Sequence, residues 1–213
     1  MSAADTSNGS AVVSALVEVI VDNRTYLSEV DGAIGDGDHG INMAKGFRQC
    51  GDAIAGRSMH LAEALETLSD ILMDDIGGSM GPLYGSLFMG MSEAVEGRNT
   101  IDAEVFASML EEAIESIRLV SDANVGDKCL MDTLVPAAQA ARAGVDAQRS
   151  LRAVIAETRE AAEEGMESTR NLVSRIGRSA RLGERSRGAL DAGAVSTCLL
   201  ITCLSDELDR LST

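Results

Sequence analysis

The sequence predicts a single all-α domain, and three observations carry that prediction. Apolar residues recur at three- and four-residue spacing through most of the 213 residues, which is the pattern of amphipathic helices. Aromatic residues make up only 2% and Trp is absent, so the core must be aliphatic, which favours packed helices over a β-sandwich. No linker or low-complexity tract divides the chain, so residues 1–213 are predicted to form one domain with a core over about 10–211.

The helical pattern is strongest over residues 61–76, 103–120 and 151–173. In the last of these, Leu151, Val154, Ile155 and Thr158 begin a stripe that continues for about six turns. Weaker patterns bring the expected number of helices to eight, with the other five over residues 10–29, 40–54, 80–96, 130–143 and 189–211. No segment shows the alternation of a half-buried strand.

The charge and cysteine content exclude several classes of function. The formal net charge of −16 repels nucleic acid and anionic membranes, so neither is an expected partner. The four cysteines form no CxxC pair, and no apolar run reaches about 18 residues, which argues against a zinc site and a membrane span. The N-terminus is polar and lacks a signal-like basic region, so a cytoplasmic protein with reduced thiols is expected.

The most distinctive motif is DGAIGDGDHG at residues 31–40. It places Asp31, Asp36 and Asp38 on a glycine-rich loop, where the backbone can turn so that the three side chains converge. Converging carboxylates repel one another unless a cation neutralises them, and their hard oxygen atoms suit Mg²⁺ or Ca²⁺. The loop lacks the spacing and terminal Glu of an EF-hand, which favours Mg²⁺ with a phosphate ligand. A solvated acidic loop between helices explains the spacing equally well.

The residues that follow, His39, Gly40, Ile41 and Asn42, are expected to begin a helix. Free N–H groups and the helix dipole at such an N-terminus favour an anion, so the phosphates of a nucleotide could bind there. A lone histidine in this position is also explained as a capping or loop residue.

Two further glycine-rich segments precede helices. GGSMGPLYG at residues 77–85 places Ser79 near an N-cap and Pro82 in a first turn, which suits either a phosphate site or a tight interhelical turn. GDKCLMD at residues 126–132 offers Asp127 as an N-cap. Leu130 and its neighbour Met131 could line an adenine pocket or belong to the core.

The last motif, GRSARLGERSRG at residues 177–188, collects four arginines and is followed by Asp191–Ala194. A basic loop on a strongly acidic protein suits a phosphate ligand, and a solvated linker is the competing interpretation.

Together and in this order, the four motifs resemble the nucleotide-binding L subunit of bacterial dihydroxyacetone kinases, the DAK2 domain. The matching stretches are DGAIGDGDHGINMAKGF, GGSMGPLYGSLF, GDKCLMDTLVPA and GRSARLGERSRGALDAGA, and the resemblance extends over roughly residues 10–210. The chain departs from the family's usual pattern at Ser79–Met80, at Cys129–Leu130 and at Ala192. The resemblance implies an eight-helix antiparallel barrel with the nucleotide among the loops at one end.

The resemblance also implies a ligand set. Asp31, Asp36 and Asp38 would hold two Mg²⁺ ions that bridge the phosphates of ADP or ATP. The nucleotide pocket would comprise His39, Gly40, Ile41, Asn42, Ser79, Met80, Gly126, Leu130, Arg178, Asp191 and Gly193. No residue of the chain stands out as a catalytic base.

In this family the ketose is held on a separate subunit through a histidine, so the resemblance implies a phosphotransferase that needs a ketose-binding partner. The bound ADP is rephosphorylated in place where a phosphotransferase-system donor protein exists, and ATP exchanges as a substrate where none exists. The sequence leaves both modes open, together with the identity of the small ketose and the formation of a homodimer. The alternative hypothesis is a non-catalytic module that senses nucleotide and docks onto a transcription regulator.

Overall fold

The computed structural model describes residues 3–212, and within them the chain forms nine α-helices. They are α1 (Gly9–Asp22), α2 (Arg24–Gly32), α3 (His39–Ile54), α4 (Leu61–Asp75), α5 (Met80–Val95), α6 (Ala103–Arg118), α7 (Met131–Asp146), α8 (Leu151–Ser168) and α9 (Ala192–Leu211). Two 3₁₀ segments, Thr169–Asn171 and Arg178–Ser186, lie between α8 and α9. The prediction of an all-α fold is confirmed.

The helices form a closed ring. From α4 to α9 each helix packs against its neighbour in sequence, and α9 returns to pack against α1, which in turn packs on α3 and α4. The apolar stripes predicted from the sequence face the interior, and one buried cluster draws side chains from every helix, among them Leu16, Phe47, Phe88, Phe106 and Leu134. Between α1, α5 and α9, the side chains leave a void of only about 10 Å³, so the packing is close there.

The first predicted helix, over residues 10–29, is instead two helices that meet at Asn23. The Asn23 backbone N–H and its side-chain amide both donate to the carbonyl of Val19, at 3.2 and 2.8 Å. These bonds close the end of α1, and α2 begins at the next residue. Asparagine competes with helix continuation in this way because its short side chain can bond to the nearby backbone.

The structure also contains a two-stranded antiparallel ladder that the sequence pattern did not predict. β1 (Ala4–Asp5) pairs with β2 (Thr100–Ile101). Strands of two residues are too short to show alternation, and this pair ties the N-terminal residues to the α5–α6 connection. Within residues 3–212, the structure contains no helix that is both long and apolar enough to cross a membrane.

One packing contact between α7 and α8 positions the first turn of α7. Pro136 lies inside α7 and has no N–H to donate to the carbonyl of Asp132, four residues earlier. Gly165 of α8 packs against that carbonyl so closely that a Cβ atom would collide with it. The close approach of α7 and α8 therefore depends on this glycine and fixes the position of the first turn of α7.

Candidate functional site

A cavity of about 410 Å³ opens at one end of the ring. Its wall includes the first residues of α3, α5 and α9, the N-cap residue of α7, and the segments that follow α2, α4, α6 and α8. The odd-numbered helices from α3 to α9 therefore begin at this end and the even-numbered ones end there, which is an antiparallel arrangement. Four helix N-termini converge on the cavity, and the dipoles of these helices favour an anion there.

The carboxylates of Asp31, Asp36 and Asp38 form a cluster at the rim of this cavity. Each offers one oxygen atom, and these atoms lie within 4.8 Å of one another. Asp31 belongs to the last turn of α2 and Asp38 is the N-cap residue of α3, so the loop between the helices brings them together. Gly35 is needed for this arrangement, because a Cβ atom there would collide with the Asp31 carboxylate.

Arg178 is the cation that contacts this cluster. Its Nη1 atom donates to Oδ2 of Asp36 and, at 3.0 Å, to Oδ2 of Asp38. Among residues 3–212, the third carboxylate, Asp31, accepts a single long hydrogen bond of 3.4 Å, from the backbone N–H of His39. The carboxylates are thus gathered but poorly supplied with protein donors.

A buried hydrogen-bonded chain lies deeper in the cavity. His39 Nε2 is 2.9 Å from the hydroxyl of Ser196, which is 2.6 Å from the hydroxyl of Tyr84, and the Tyr84 hydroxyl donates to the Gly193 carbonyl. Desolvation lowers the pKa of His39 to about 4, although the nearby Asp31 opposes the shift. His39 is therefore a neutral imidazole at neutral pH, and it is held in one orientation by Ser196.

Lys128 anchors the segment that carries Arg178. The residue is 1% exposed, and its Nζ atom donates to the carbonyls of Leu172, Ser186 and Ala189 at 3.3, 2.6 and 2.7 Å. These acceptors come from both ends of the loop that joins α8 to α9. Desolvation lowers the pKa of Lys128, and the nearby carboxylate of Asp191 counteracts that shift.

Asp132 and Asp191 complete the buried polar group around Lys128. Asp132 accepts from the backbone N–H groups of Gly126 and Cys129 at 2.6 and 2.7 Å, and Asp191 caps α9 by accepting from Ala194 at 2.8 Å. Desolvation raises the pKa of Asp191 to about 7, and the bond from Ala194 opposes this shift.

The proposed N-cap role of Asp127 is wrong. The N-cap residue of α7 is Leu130, and the side chain that binds the backbone ahead of this helix is that of Asp132. The Asp127 carboxylate instead accepts from the backbone N–H of Asn124, at 2.9 Å. A carboxylate in the first turn can bond to N–H groups that precede it, and the sequence gives no sign of which aspartate does so.

The structure brings most of the predicted site residues together. The cavity is lined by Asp31, Asp36, Asp38, His39, Ser79, Met80, Leu130, Arg178, Asp191 and Gly193. It is not lined by Gly40, Ile41, Asn42 or Gly126. Gly40 is buried against α2, where a Cβ atom would collide with the carbonyl of Arg24, while Ile41 is 49% exposed. Asn42 lies one position further along α3, and Gly126 has a φ of +94° in the turn before α7.

Several lining residues were not assigned a role from the sequence. Tyr84 and Lys128 lie inside motifs that were recognised, but no site role was given to either. Lys128 follows a glycine and an aspartate at a positive φ of 65°, a conformation that an L-residue rarely adopts and that the sequence does not reveal. Ser121–Ala123 and Ile176–Ser179 also line the cavity, and only the arginine of these segments was predicted to do so.

The amino-acid sequence matches a known protein family. The DAK2 domain model matches residues 33–206. The chain belongs to the DAK2 domain family. It is 36% identical over 184 residues to the ADP-binding subunit DhaL of PEP-dependent dihydroxyacetone kinase 1 from Listeria innocua, covering 86% of this chain and 87% of that protein. It is 34% identical over 189 residues to the DhaL subunit of the PTS-dependent enzyme from Lactococcus lactis, covering 88% and 90%.

Among solved structures, the chain is similar to the dihydroxyacetone kinase from C. freundii in complex with AMP-PNP and Mg²⁺. The TM-score is 0.68 at 21% identity, and the match covers 93% of this DAK2 chain but 33% of the other. At that identity the likeness supports the fold, which is the helical fold that the sequence motifs predicted.

The residues of this DAK2 chain fit a divalent cation with a phosphate ligand. Three carboxylates supply hard oxygen atoms within reach of one ion, and they have few competing donors from the protein. The convergent helix N-termini lie beside them on the wall of the same cavity.

Proposed function

We propose that this chain is the nucleotide-binding subunit of a dihydroxyacetone-type kinase. It would bind ADP or ATP with Mg²⁺ and transfer a phosphoryl group to a small ketose held on a partner subunit. The observation that carries this proposal is the carboxylate cluster of Asp31, Asp36 and Asp38 beside four converging helix N-termini. The carboxylates suit a cation and the helix N-termini suit an anion, and a metal–polyphosphate ligand needs both.

The carboxylates would hold two Mg²⁺ ions, and these ions would neutralise charge on the phosphates. Phosphoryl transfer depends on charge neutralisation and in-line positioning more than on covalent help from the protein. Arg178 can supply a bidentate donor to phosphate oxygens from the same rim. The chain's own contribution is therefore to bind the donor and to orient it.

Part of the cavity wall suits the base of the nucleotide. Ile34, Met80, Leu83 and Leu130 provide apolar surface, and His39, Tyr84 and Gly193 of the hydrogen-bonded chain line the same cavity. A neutral imidazole adds no charge to this part of the wall. Contacts of the nucleotide with Gly40, Ile41, Asn42 and Gly126 stay a prediction, because these four residues do not line the cavity.

The acceptor and the donor partners follow from the family. The ketose would be dihydroxyacetone or a related small ketose on a ketose-binding subunit. The names of the two relatives, PEP-dependent and PTS-dependent, favour the mode in which bound ADP is rephosphorylated by a phosphotransferase-system protein. We further propose that the chain acts as one domain in the cytoplasm. Formation of a homodimer stays an open prediction.

A reconstitution assay tests the proposal. The purified chain is mixed with a dihydroxyacetone-binding kinase subunit and dihydroxyacetone, and phosphorylated product is followed with ATP or with a phosphoenolpyruvate-driven donor system. Product that requires this chain supports the kinase function, and the donor that sustains turnover identifies the mode. Nucleotide binding without any transfer in either arm would favour the non-catalytic sensing module.

A further inference from the structure

Arg178 contacts the same carboxylates that fit a cation. Its Nη1 atom is within hydrogen-bonding reach of Oδ2 of both Asp36 and Asp38. Oxygen atoms of these two residues and of Asp31 lie within 4.8 Å of one another. A nitrogen atom shared between two of them lies in the space that a divalent cation would need in order to bind both. The guanidinium and such a cation therefore exclude each other.

The ion pairs of Arg178 are exposed and easily broken. The side chains of Arg178, Asp36 and Asp38 are 57%, 52% and 38% exposed. Solvent screens pairs of this kind, and each is worth only about two- to fivefold in an equilibrium constant. A strongly bound competitor can displace the guanidinium at little cost.

The segment around Arg178 can release its side chain without losing its anchors. Lys128 binds the carbonyls of Leu172, Ser186 and Ala189 at the base of the loop. Gly177 immediately precedes Arg178 at a φ of +67°, and nothing lies within 4 Å of where its Cβ atom would be. The rim of the loop is therefore open, while its base is buried.

From these contacts we infer that Arg178 is an internal counter-ion that competes with a divalent cation for Asp36 and Asp38. The guanidinium leaves Asp36 and Asp38 when the cation binds together with a polyphosphate, because the phosphate oxygens then become its bidentate partner. This inference rests on the proposed function of the same site. Its consequence is cooperativity: a cation alone binds weakly, and a cation with nucleotide binds tightly.

The test measures Mn²⁺ and Mg²⁺ affinity in the absence of nucleotide, by the free-Mn²⁺ electron paramagnetic resonance signal and by calorimetry. Arg178→Met keeps a side chain of similar length and removes the competitor. We expect it to bind Mn²⁺ alone up to about tenfold more tightly than the wild type, since two weak pairs are removed. The same variant should bind Mg²⁺–ADP about tenfold or more weakly, since it loses a charge-assisted contact to phosphate.

Arg181→Met is the matched control, because Arg181 lies on the same loop, is exposed and does not line the cavity. It removes one positive charge nearby, so it reports the general electrostatic effect, which should stay below about twofold at physiological salt. Arg178→Lys, which keeps the charge but loses the planar fork, should give an intermediate Mn²⁺ affinity. It also serves if the methionine variant does not fold.

These measurements distinguish a failure of the counter-ion inference from a failure of the proposed function. If the wild type binds Mg²⁺–ADP and both Arg178 variants bind Mn²⁺ no more tightly than Arg181→Met, the counter-ion inference is wrong and the nucleotide site stands. If the wild type binds neither Mn²⁺ nor Mg²⁺–ADP, the proposed function and the inference fall together. Opposite changes in the two affinities, confined to position 178, are the result that supports the inference.

Discussion

Two acidic clusters lie at the cavity end of the ring, and their carboxylates have opposite surroundings. Asp132 is buried and Asp191 is partly buried beside Lys128, and their carboxylates accept hydrogen bonds from the backbone at 2.6 to 2.8 Å. Asp36 and Asp38 are exposed or half-exposed, and the side-chain donor that both share is Arg178. The buried cluster is already satisfied by the chain, whereas the exposed cluster has oxygen atoms left for another partner.

At this end of the ring, the cluster with backbone donors has a structural role, and the exposed cluster is available to bind a ligand. Carboxylates with backbone donors hold loops and helix ends in place, and removing them should alter folding. Carboxylates gathered without such donors repel one another, so the arrangement is explained by a cation that they bind.

The largest effect is expected at the exposed cluster. Asp36→Ala should weaken Mg²⁺-dependent ADP binding by more than about 100-fold, because even residues that only support metal ligands change metal affinity 10–100-fold. The free energy of unfolding should change by less than about 0.5 kcal/mol, as for other exposed positions. Calorimetric titration and urea unfolding of the same preparation measure both quantities.

The control for this variant is Asp52→Ala, which removes an equal charge from an exposed position on α3. Its ADP affinity should match that of the wild type within about twofold. Retained Mg²⁺-dependent binding in Asp36→Ala would show that this loop is not the metal site.

A substitution in the cluster around Lys128 should instead lower the stability of the fold. Lys128→Met leaves three loop carbonyls without their donor, and we expect it to lower the free energy of unfolding by about 3 kcal/mol. Lys45→Met changes the only other lysine, which is exposed, and should be nearly neutral. Urea unfolding followed by circular dichroism gives the comparison, and equal stability of the two variants would contradict the anchoring role.

A substitution at Gly40 distinguishes a role in helix packing from a role in nucleotide binding. The resemblance assigns it to the nucleotide, whereas the structure packs it against the Arg24 carbonyl of α2. Gly40→Ala should therefore destabilise the fold by about 2 kcal/mol, since a methyl group must displace backbone. Gly32→Ala is the control, because its nearest neighbour would lie 3.8 Å from the new Cβ atom. A thermally stable Gly40→Ala protein that has lost nucleotide affinity would favour the nucleotide role.

The last effect is a dependence of stability on pH, and it concerns the partly buried Asp191. Burial raises its pKa from 3.8 to about 7, so the folded protein holds this proton more tightly than the unfolded chain. The stability that it contributes is complete below about pH 4 and is lost as the pH rises through 7. His39 has the opposite sign, because its pKa falls from 6.5 to about 4, and its contribution is lost as the pH falls through that range.

In the wild type, the stability contributions of Asp191 and His39 change in opposite directions with pH, so a variant is needed to separate them. Asp191→Asn keeps an acceptor for the N-cap and removes the titration. Its free energy of unfolding relative to the wild type should rise between pH 4 and 7 by up to about 1.4 kcal/mol per pH unit. A pH-independent difference, measured by urea unfolding at several pH values, would show that Asp191 stays ionised throughout.

Much of the fold and part of the site followed from local sequence patterns. The helices and the carboxylate loop are local features, so three- and four-residue spacing and three aspartates between glycines were enough to predict them. The split at Asn23 was missed because the apolar stripe continues through it, and a single side-chain amide ends α1.

The contacts missed at the site are those between residues far apart in the chain. Lys128 meets carbonyls 44 to 61 residues away, and Tyr84 meets Ser196 over 112 residues. Arg178 was placed at the nucleotide, but its pairing with Asp36 and Asp38 spans about 140 residues and had no local signal. Only the closing of the helix ring brings these groups together.

The central claim is that Asp31, Asp36 and Asp38 bind a cation that makes nucleotide binding possible. The most direct test is calorimetric titration of the EDTA-treated protein with ADP and with ATP, each with and without Mg²⁺. We expect tight binding only when Mg²⁺ is present, with slow exchange of ADP if it is a resident cofactor and fast exchange if ATP is the substrate. Binding that is equally tight without Mg²⁺, or no binding under any condition, would contradict it.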